Sequence, residues 1–556
     1  MSYLITAPEI LGSAATDLAS VAGTLNTANA SAAARTTGLL AAAQDEVSAA
    51  IASLLSDHAA AYQAASAEAA TFHQQFMGAL TAAACAYAGA EAAGVSQLGP
   101  LLGLFGGPGI PSAANVALIM GGSGIPIPPP DFITNNFNLY IQPFFANFTP
   151  QALFTPEGNY GLYTGVKSLT LDVSQAQGVQ ILDSAILQQL AAGNDVVVKG
   201  ESQSSTISSM VMPLLAAQGV PSTAHLSFVL TGDPNNPNGG LFERLNGLRI
   251  PALGITFNGA TPDNLYTTTI WTQEYDGFAD VPRYPINLLS DLNSLAGIYY
   301  VHPTYGDLSH AQVQSAIQLP TSGPTMTTYN MIPTAHLPLL QPLRSIPLVG
   351  TPFADLIEPD LRVLVNLGYG DPNYGWTQGP ANVPTPFGLF PSLSDIEKVP
   401  PLFSVGTQHG ITDFIHDFTS TGSVASSVSS LSILEPPSLP SATTLTNPAD
   451  LLSALSPASL ANGLSNTINT LSGAASDTYA ILLPTADVAN GLLTSLPAYD
   501  LTLFANGLQS GDLISAIGQP IATDTYLIPL AGAFEAFAVV SQLQTVFGDL
   551  GRLIPS

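Results

Sequence analysis

Basic residues are scarce in this chain. Lys and Arg number 10 in 556 residues against 38 Asp and Glu, for a formal net charge of −28. A field of that sign repels a phosphate backbone, which excludes nucleic-acid binding as a function class. It offers no electrostatic attraction to an anionic membrane surface either. Charge of both signs together makes up only 9% of the residues, against roughly 25% in ordinary soluble domains. Cysteine occurs once, as Cys85, so an intramolecular disulfide and a cysteine-based metal cluster are excluded. Cys85 itself reads as a small apolar residue on a helix face. His58 and His73 stand apart from other ligands. His409 and His416 fall in a late loop region with Asp413 and Asp417. None of these spacings compels a metal, and no cofactor is expected. The N-terminus lacks a basic stretch followed by an apolar one, so no standard signal peptide is expected. No uncharged apolar run reaches about 18 residues. The closest, Leu527 to Phe547, contains Glu535, Ser541, Gln542 and Gln544 and reads as a buried amphipathic helix.

What is abundant is apolar and loop-forming residues. Hydrophobic types make up 46%, Gly and Pro number 49 and 45, and the mean hydropathy is +0.32. A chain of this length exceeds one ordinary core, so two or more structural units are expected. Residues 1–93 are Ala-rich. Pro8-Glu9 suits a helix first turn, where a missing N–H costs nothing and an acid meets the positive dipole end. Ile10, Ala14, Leu18, Val21 and Leu25 recur at helical spacing, as do Val47, Ile51, Leu54 and Leu55. With a turn at Thr36-Thr37-Gly38, this predicts a two-helix hairpin. Such a hairpin is too thin to bury both stripes, so it should pack on another chain. Residues 94–113 break the pattern with Gly and Pro and read as a linker.

From residue 114 the texture becomes that of strands alternating with helices. Short apolar runs at Val116–Met120, Asp195–Val198, His225–Leu230, Leu253–Phe257 and Thr267–Thr272 predict buried strands. A helix is predicted through Val179, Leu182, Ile186 and Leu190, closed by Gly193, and another through Ile207, Met210 and Val211. This argues for a mostly parallel sheet covered on both faces over 114–350. Residues 351–390 extend that domain, with Leu361–Leu367 a strand or helix. Residues 391–556 are rich in Ser, Leu and Pro, mixed helical and loop-like, with no role assigned.

The most informative segment is the strand, turn and helix at Val196–Met210. A nucleophilic serine in a strand-to-helix elbow needs small residues two before and two after it. Gly200 and Ser204 fill those places around Ser202, a G-x-S-x-S pattern. The plainer reading is that Ser202 merely N-caps the helix. A serine at its ordinary pKa needs a base, and the base an orienting acid. In this class the chain order is Ser, acid, His. Asp276 follows a predicted strand, and His302 lies further on. Asp280 is the rival acid; His336 and His310 are rival bases. For the oxyanion, the backbone N–H groups of Gln203 and of Ser123, in the turn Gly122-Ser123-Gly124, are the candidate donors. That turn has neither the lysine nor the spacing of a phosphate cradle.

Residues 1–93 resemble the PE domain of mycobacterial PE/PPE proteins. The likeness is carried by Pro8-Glu9, the Ala-rich hairpin pattern and Tyr87-Ala88-Gly89-Ala90-Glu91, which fits that family's Y-x-x-x-D/E export signal. Residues 114–345 resemble the PE-PPE hydrolase domain, through the segments starting at Asp233, Tyr275 and Leu337. That domain is an α/β-hydrolase akin to cutinases. The Ser202-Gln203 pair is similar to the cutinase nucleophile and oxyanion pair, Asp276 to the cutinase acid and His302 to its late histidine. The cutinase cysteines are missing here, and the Asp-to-His interval is longer. The resemblance implies a serine esterase or lipase acting on an acyl-ester or lipid substrate. It further implies export by the type VII secretion machinery to the cell envelope or surface, and pairing of the hairpin with a helical PPE-family protein. Acyl transfer between envelope lipids uses the same triad, and a non-catalytic surface or antigenic protein would keep the same fold.

Overall fold

A computed structural model describes residues 115–158, 169–222, 225–419 and 485–551, with scattered positions between 29 and 66. The chain divides into two compact units, residues 1–112 and 113–556. The stripe from Ile10 to Leu25, Val47, His58, His73, Cys85, Tyr87, Glu91 and the predicted linker 94–113 all lie outside the described residues, as does 420–484.

In the first unit the turn falls at Thr37-Gly38. Thr36 and Thr37 each donate a side-chain hydroxyl back one helical turn, to Ala32 O and Ala33 O. Tyr62 Oη and Gln63 Nε2 both donate to Asn29, at 3.1 Å each. Ile51, Leu54 and Leu55 are all at least half exposed.

The second unit is built on a seven-stranded sheet of order β2-β1-β3-β4-β7-β9-β8. The strands are β1 (Asn115–Ile119), β2 (Thr149–Ala152), β3 (Asp195–Glu201), β4 (Leu226–Thr231), β7 (Thr267–Gln273), β8 (Ile317–Gln318) and β9 (Thr327–Ile332). Every neighbouring pair is parallel except β8 with β9. β5 (Arg249–Ile250) and β6 (Ile255–Thr256) form a separate antiparallel pair. The fold is therefore an α/β-hydrolase-like arrangement with a mostly parallel sheet, as the alternating pattern predicts.

The apolar runs explain the strands' position. Successive side chains point to opposite faces, so a strand buried on both sides needs no polar alternation. Val116, Leu118, Val196, Val198, Phe228 and Leu230 enter one core. Their neighbours Ala117, Ile119, Val197 and Val229 enter another on the opposite face. Helices α1 (Leu171–Ala191) and α2 (Gln203–Ala217) cover the first core with Leu182, Ile186, Ile207 and Val211. Helix α3 (Leu288–Tyr300) follows β7, and α4 (Gly350–Leu367) and α5 (Val399–Thr419) follow the sheet. Near the C-terminus, α6 (Leu496–Ser510) and α7 (Leu513–Gly551) send Leu496, Tyr499, Ala522, Tyr526, Leu527 and Leu530 into a third core. There they meet Leu241, Phe242, Leu245 and Phe257.

Several expectations are corrected. Leu253–Phe257 supplies only the two residues of β6, outside the main sheet. The turn residues around Pro251 leave too short a run for a ladder strand. Of the strand or helix expected at Leu361–Leu367, the helix forms: this is the end of a helix amphipathic along its whole length, with Ala354, Val363 and Val365 buried. His409 and His416 sit on α5, not in a loop. Strands β2, β8 and β9 lack long apolar runs, since β9 (TTYNMI) presents polar residues even at buried positions. Among the described residues, Leu513–Val540 of α7 is long and apolar enough to cross a membrane by length and composition. Its hydropathy survives Asp524 and Glu535, which interrupt every uncharged run. One face is buried through Tyr526, Leu527 and Leu530, while Ile514, Ile517 and Ile528 are exposed.

Candidate active site

Ser123, Ser202, Gln203, Asp276 and His302 converge at the C-terminal edge of the parallel strands, the usual place for a site in open α/β sheets. Ser123 follows β1, Ser202 follows β3, and Asp276 follows β7. Ser202 is the junction between β3 and α2. Its backbone has φ 56° and ψ −116°, and its side chain makes no capping hydrogen bond. The plain N-cap reading therefore fails. A non-glycine residue held there costs roughly 1–3 kcal/mol, so the surrounding turn must enforce it. Gly200 allows the turn to close: a Cβ there would stand 2.8 Å from Ser204 O and 2.9 Å from Ser205 N. Ser204 occupies the place where the strict pattern has glycine. Its buried hydroxyl accepts the Glu201 N–H at 2.8 Å and donates to Glu201 O at 3.1 Å, closing the elbow from within.

Ser202 Oγ lies 2.8 Å from His302 Nε2. His302 Nδ1 lies 2.8 and 2.9 Å from the two oxygens of Asp276. The acid is fully buried and well supplied with donors. Phe278 and Ala279 N–H donate to its Oδ1 at 2.9 and 3.2 Å, and Tyr305 Oη donates to Oδ2 at 2.7 Å. Burial pushes the Asp276 carboxyl up, but the His302 charge and these donors outweigh it and hold the group below its ordinary range. Burial in turn pulls His302 down, and Asp276, with help from Glu201, carries it above 6.5. Gly232, at φ +55°, makes room for the imidazole. A Cβ there would lie 3.0 Å from His302 Cε1 and 2.9 Å from the Tyr305 ring.

Gln203 is the first residue of α2, so its N–H has no intrahelical acceptor and points out of the helix start. Its side chain ties the elbow to the β1 turn. Ser123 Oγ donates to Gln203 Oε1 at 3.1 Å, and Gln203 Nε2 donates to Ser174 Oγ at 2.8 Å. Glu157 lies behind this clasp. Its backbone carbonyl accepts Gly124 N–H at 2.8 Å, and its carboxyl accepts Thr155 Oγ1 at 2.6 Å. Burial pushes that carboxyl up to about 8. Lys199, wholly buried beneath the elbow, donates to Gly200 O at 2.9 Å and Thr231 Oγ1 at 2.7 Å. Burial lowers it to about 8 against the opposing pull of Glu201.

The rival groups lie elsewhere. Asp280 is buried and accepts Tyr275 N–H at 3.0 Å, making no bond to the imidazole; burial raises its carboxyl well above the usual range. His336 is half exposed and sits 3.3 Å from Glu358. His310 starts a short exposed helix. His336, Asp355 and Glu358 are grouped closely enough to hold an ion, but Arg344 already pairs with both carboxylates. Sequence reading missed Tyr305, Glu157, Lys199 and Gly232. Only Tyr305 carried a signal, as the residue three past the histidine that turns back on the same short 3-10 helix.

A cavity of about 630 Å³ opens over Ser202 and His302, within the range of small-molecule sites. Its polar end is formed by Ser123, Ser202, Gln203 and His302. Phe242, Phe278, Ile298, Phe534 and Phe537 are among its apolar lining, and Asp131, Asn135 and Asp307 also stand at its wall.

Two family patterns match the chain: the PE family over residues 4–94 and the PE-PPE domain over residues 146–370. The PPE family protein PPE28 of Mycobacterium tuberculosis is 47% identical over 80% of this chain and 68% of its own length. Esterase PE16 of the same organism is 49% identical over 72% of this chain and 75% of its own. PE family protein PE3, also from that organism, is 42% identical over 74% and 87%. Among solved structures, a cutinase-like protein from Cryptococcus sp. matches at 16% identity and a TM-score of 0.21, over 30% of this chain and 81% of that one. The chain therefore belongs to the PE family, as a member that joins the PE module to a PE-PPE domain.

Proposed function

We propose that the protein is a serine esterase that hydrolyses carboxylic acyl esters. The observation that carries this reading is the unbroken hydrogen-bonded series from Ser202 Oγ through His302 to Asp276, opening into the cavity. Ser202 Oγ attacks the ester carbonyl while His302 Nε2 takes its proton. The charge that develops on the carbonyl oxygen falls to the N–H groups of Gln203 and Ser123. His302 then returns the proton to the departing alcohol, leaving an acyl group on Ser202. Water, activated by the same imidazole, releases the acid. Asp276 stays ionised and fixes the tautomer that presents Nε2 to the serine. The relative named as an esterase lends the same direction. A purely structural role for Ser202 gives no reason for its strained backbone, which contributes no cap.

The test is turnover of nitrophenyl esters by the full-length protein and by Ser202→Ala. Loss of three or more orders of magnitude in kcat/KM is expected. Unchanged turnover removes Ser202 as the nucleophile. A competing long-chain alcohol added to the same assay distinguishes hydrolysis from transfer, since a transferase yields the new ester.

We also propose that the PE module pairs with a helical PPE-family protein. Ile51, Leu54 and Leu55 support this, because their exposed apolar face needs a cover. The same module, with Tyr87 and Glu91 in the Y-x-x-x-D/E pattern, supports export by the type VII machinery to the cell envelope. Secretion from a host carrying that machinery, and its loss in Tyr87→Ala, tests it.

A further inference from the structure

The PE-PPE pattern ends at residue 370, yet the cavity over Ser202 is completed by residues far beyond it. Phe534 and Phe537 of α7 form part of its lining. They stand three residues apart, hence on one face of the helix. That face continues the stripe Leu527, Leu530 and Ala538, which is buried. The helix is anchored rather than resting loosely. Tyr526 Oη is 3.0 Å from Ser294 Oγ of α3, the helix that also brings Ile298 to the cavity. Tyr526, Leu527 and Leu530 share a core with Phe242, another lining residue.

From the His302 ring an aromatic path leads directly to α7. Phe278 packs edge-on against His302 with centroids 4.7 Å apart, and its ring also lies 6.1 Å from that of Phe534. Phe537 then extends the path to the mouth, where it is 51% exposed. A reacting ester carbonyl must sit at the polar end, between Ser202 and the Gln203 N–H. The apolar remainder of the substrate has an apolar surface to follow along Phe278, Phe534 and Phe537. An aliphatic chain lying there would remove the Phe537 ring from water, a favourable term proportional to the area covered.

We propose that α7 is the acyl-chain wall of the site and that Phe534 and Phe537 set the length of acyl chain the enzyme prefers. The proposal rests on the esterase reading and gives the C-terminal region a role: it supplies specificity to a site whose reacting groups lie elsewhere. Phe534 governs chains long enough to pass Phe278, and Phe537 governs longer ones that reach the mouth.

The test measures kcat/KM of the full-length protein on nitrophenyl acetate, butyrate, octanoate and decanoate, for wild type, Phe534→Ala and Phe537→Ala. The readout is the ratio of long-chain to acetate kcat/KM, from which any inactive fraction cancels. Each truncation should lower that ratio about tenfold or more, Phe534→Ala already at octanoate and Phe537→Ala chiefly at decanoate. Ratios equal to wild type in both variants overturn the proposal while leaving the esterase reading intact. A second arm uses calorimetric binding of octanoate and decanoate to Ser202→Ala with and without Phe534→Ala. Weaker binding in the double variant, alongside no ester turnover by wild type, would sink the esterase reading and keep the acyl wall. Unchanged binding there counts against the wall directly.

Discussion

Asp276 and Asp280 are both buried acids on one short loop after β7, and replacing each by Asn separates their roles. Asp276 takes the imidazole N–H on its two oxygens, two backbone N–H groups on Oδ1 and the Tyr305 hydroxyl on Oδ2. Asn keeps the shape but must turn an NH2 toward one of these donors. The least costly arrangement presents that NH2 to His302, which forces the proton onto Nε2 and leaves Ser202 facing a donor. Loss of the right tautomer in a serine triad costs on the order of 10⁴ in kcat, equivalent to about 5.4 kcal/mol at 1.36 per tenfold. Asp280 is different. It makes no bond to the imidazole, and burial raises its carboxyl well above the usual range, so a neutral Asn that still accepts the Tyr275 N–H is a close substitute. Asp280→Asn should cost less than about tenfold. The assay is kcat/KM on nitrophenyl butyrate against pH. Wild type should rise through a limb above 6.5, because His302 is raised and acts only when neutral. Asp276→Asn should move that limb down, since the group that raises it has lost its charge. If Asp280→Asn proves the more damaging, or if Asp276→Asn leaves both rate and limb in place, the assignment of the acid is wrong.

Tyr305→Phe removes one donor from Asp276; the less satisfied carboxylate should lift the limb further and lower kcat/KM about tenfold, and a limb that falls would refute this. His336→Ala should leave kcat/KM within about twofold, because His336 is half exposed and held by Glu358; a hundredfold loss would make it the base. Glu157, at about 8 when folded against 4.5 otherwise, keeps a proton that the unfolded chain has lost. Its contribution is therefore fully present below pH 4.5 and disappears as pH rises to about 8, at up to about 1.4 kcal/mol per pH unit. Urea unfolding of Glu157→Gln should show a shallower decline than wild type across that window, and parallel profiles would show that the carboxyl ionises freely.

How far the sequence could be read follows from what each element is made of. Strands buried on both faces, such as Val196–Val198, announce themselves as unbroken apolar runs. The elbow announces itself by small residues at fixed offsets, and the serine, acid and histidine by their order. Strand β9 stays hidden, because Thr327 and Asn330 belong to it by ladder bonding rather than by apolar character. The acid remained a choice between two neighbours for a similar reason. What distinguishes Asp276 from Asp280 is the direction of the loop, and no composition encodes that. Glu157 and Lys199 act through burial created by distant segments, which a local reading has no means to see.

The core shared by Phe242 and Leu530 joins parts of the chain nearly three hundred positions apart. During synthesis from the N-terminus the sheet and Ser202, Asp276 and His302 emerge long before α7 does. Until then, Leu241, Phe242, Leu245 and Phe257 have no partner from the C-terminal helices and present a sticky surface to the cell. A nascent or prematurely terminated chain is thus exposed to aggregation and proteolysis, and the cavity over Ser202 is finished only once α7 has been made. Trimming the gene at the end of its recognisable domain would cut through a core rather than a linker.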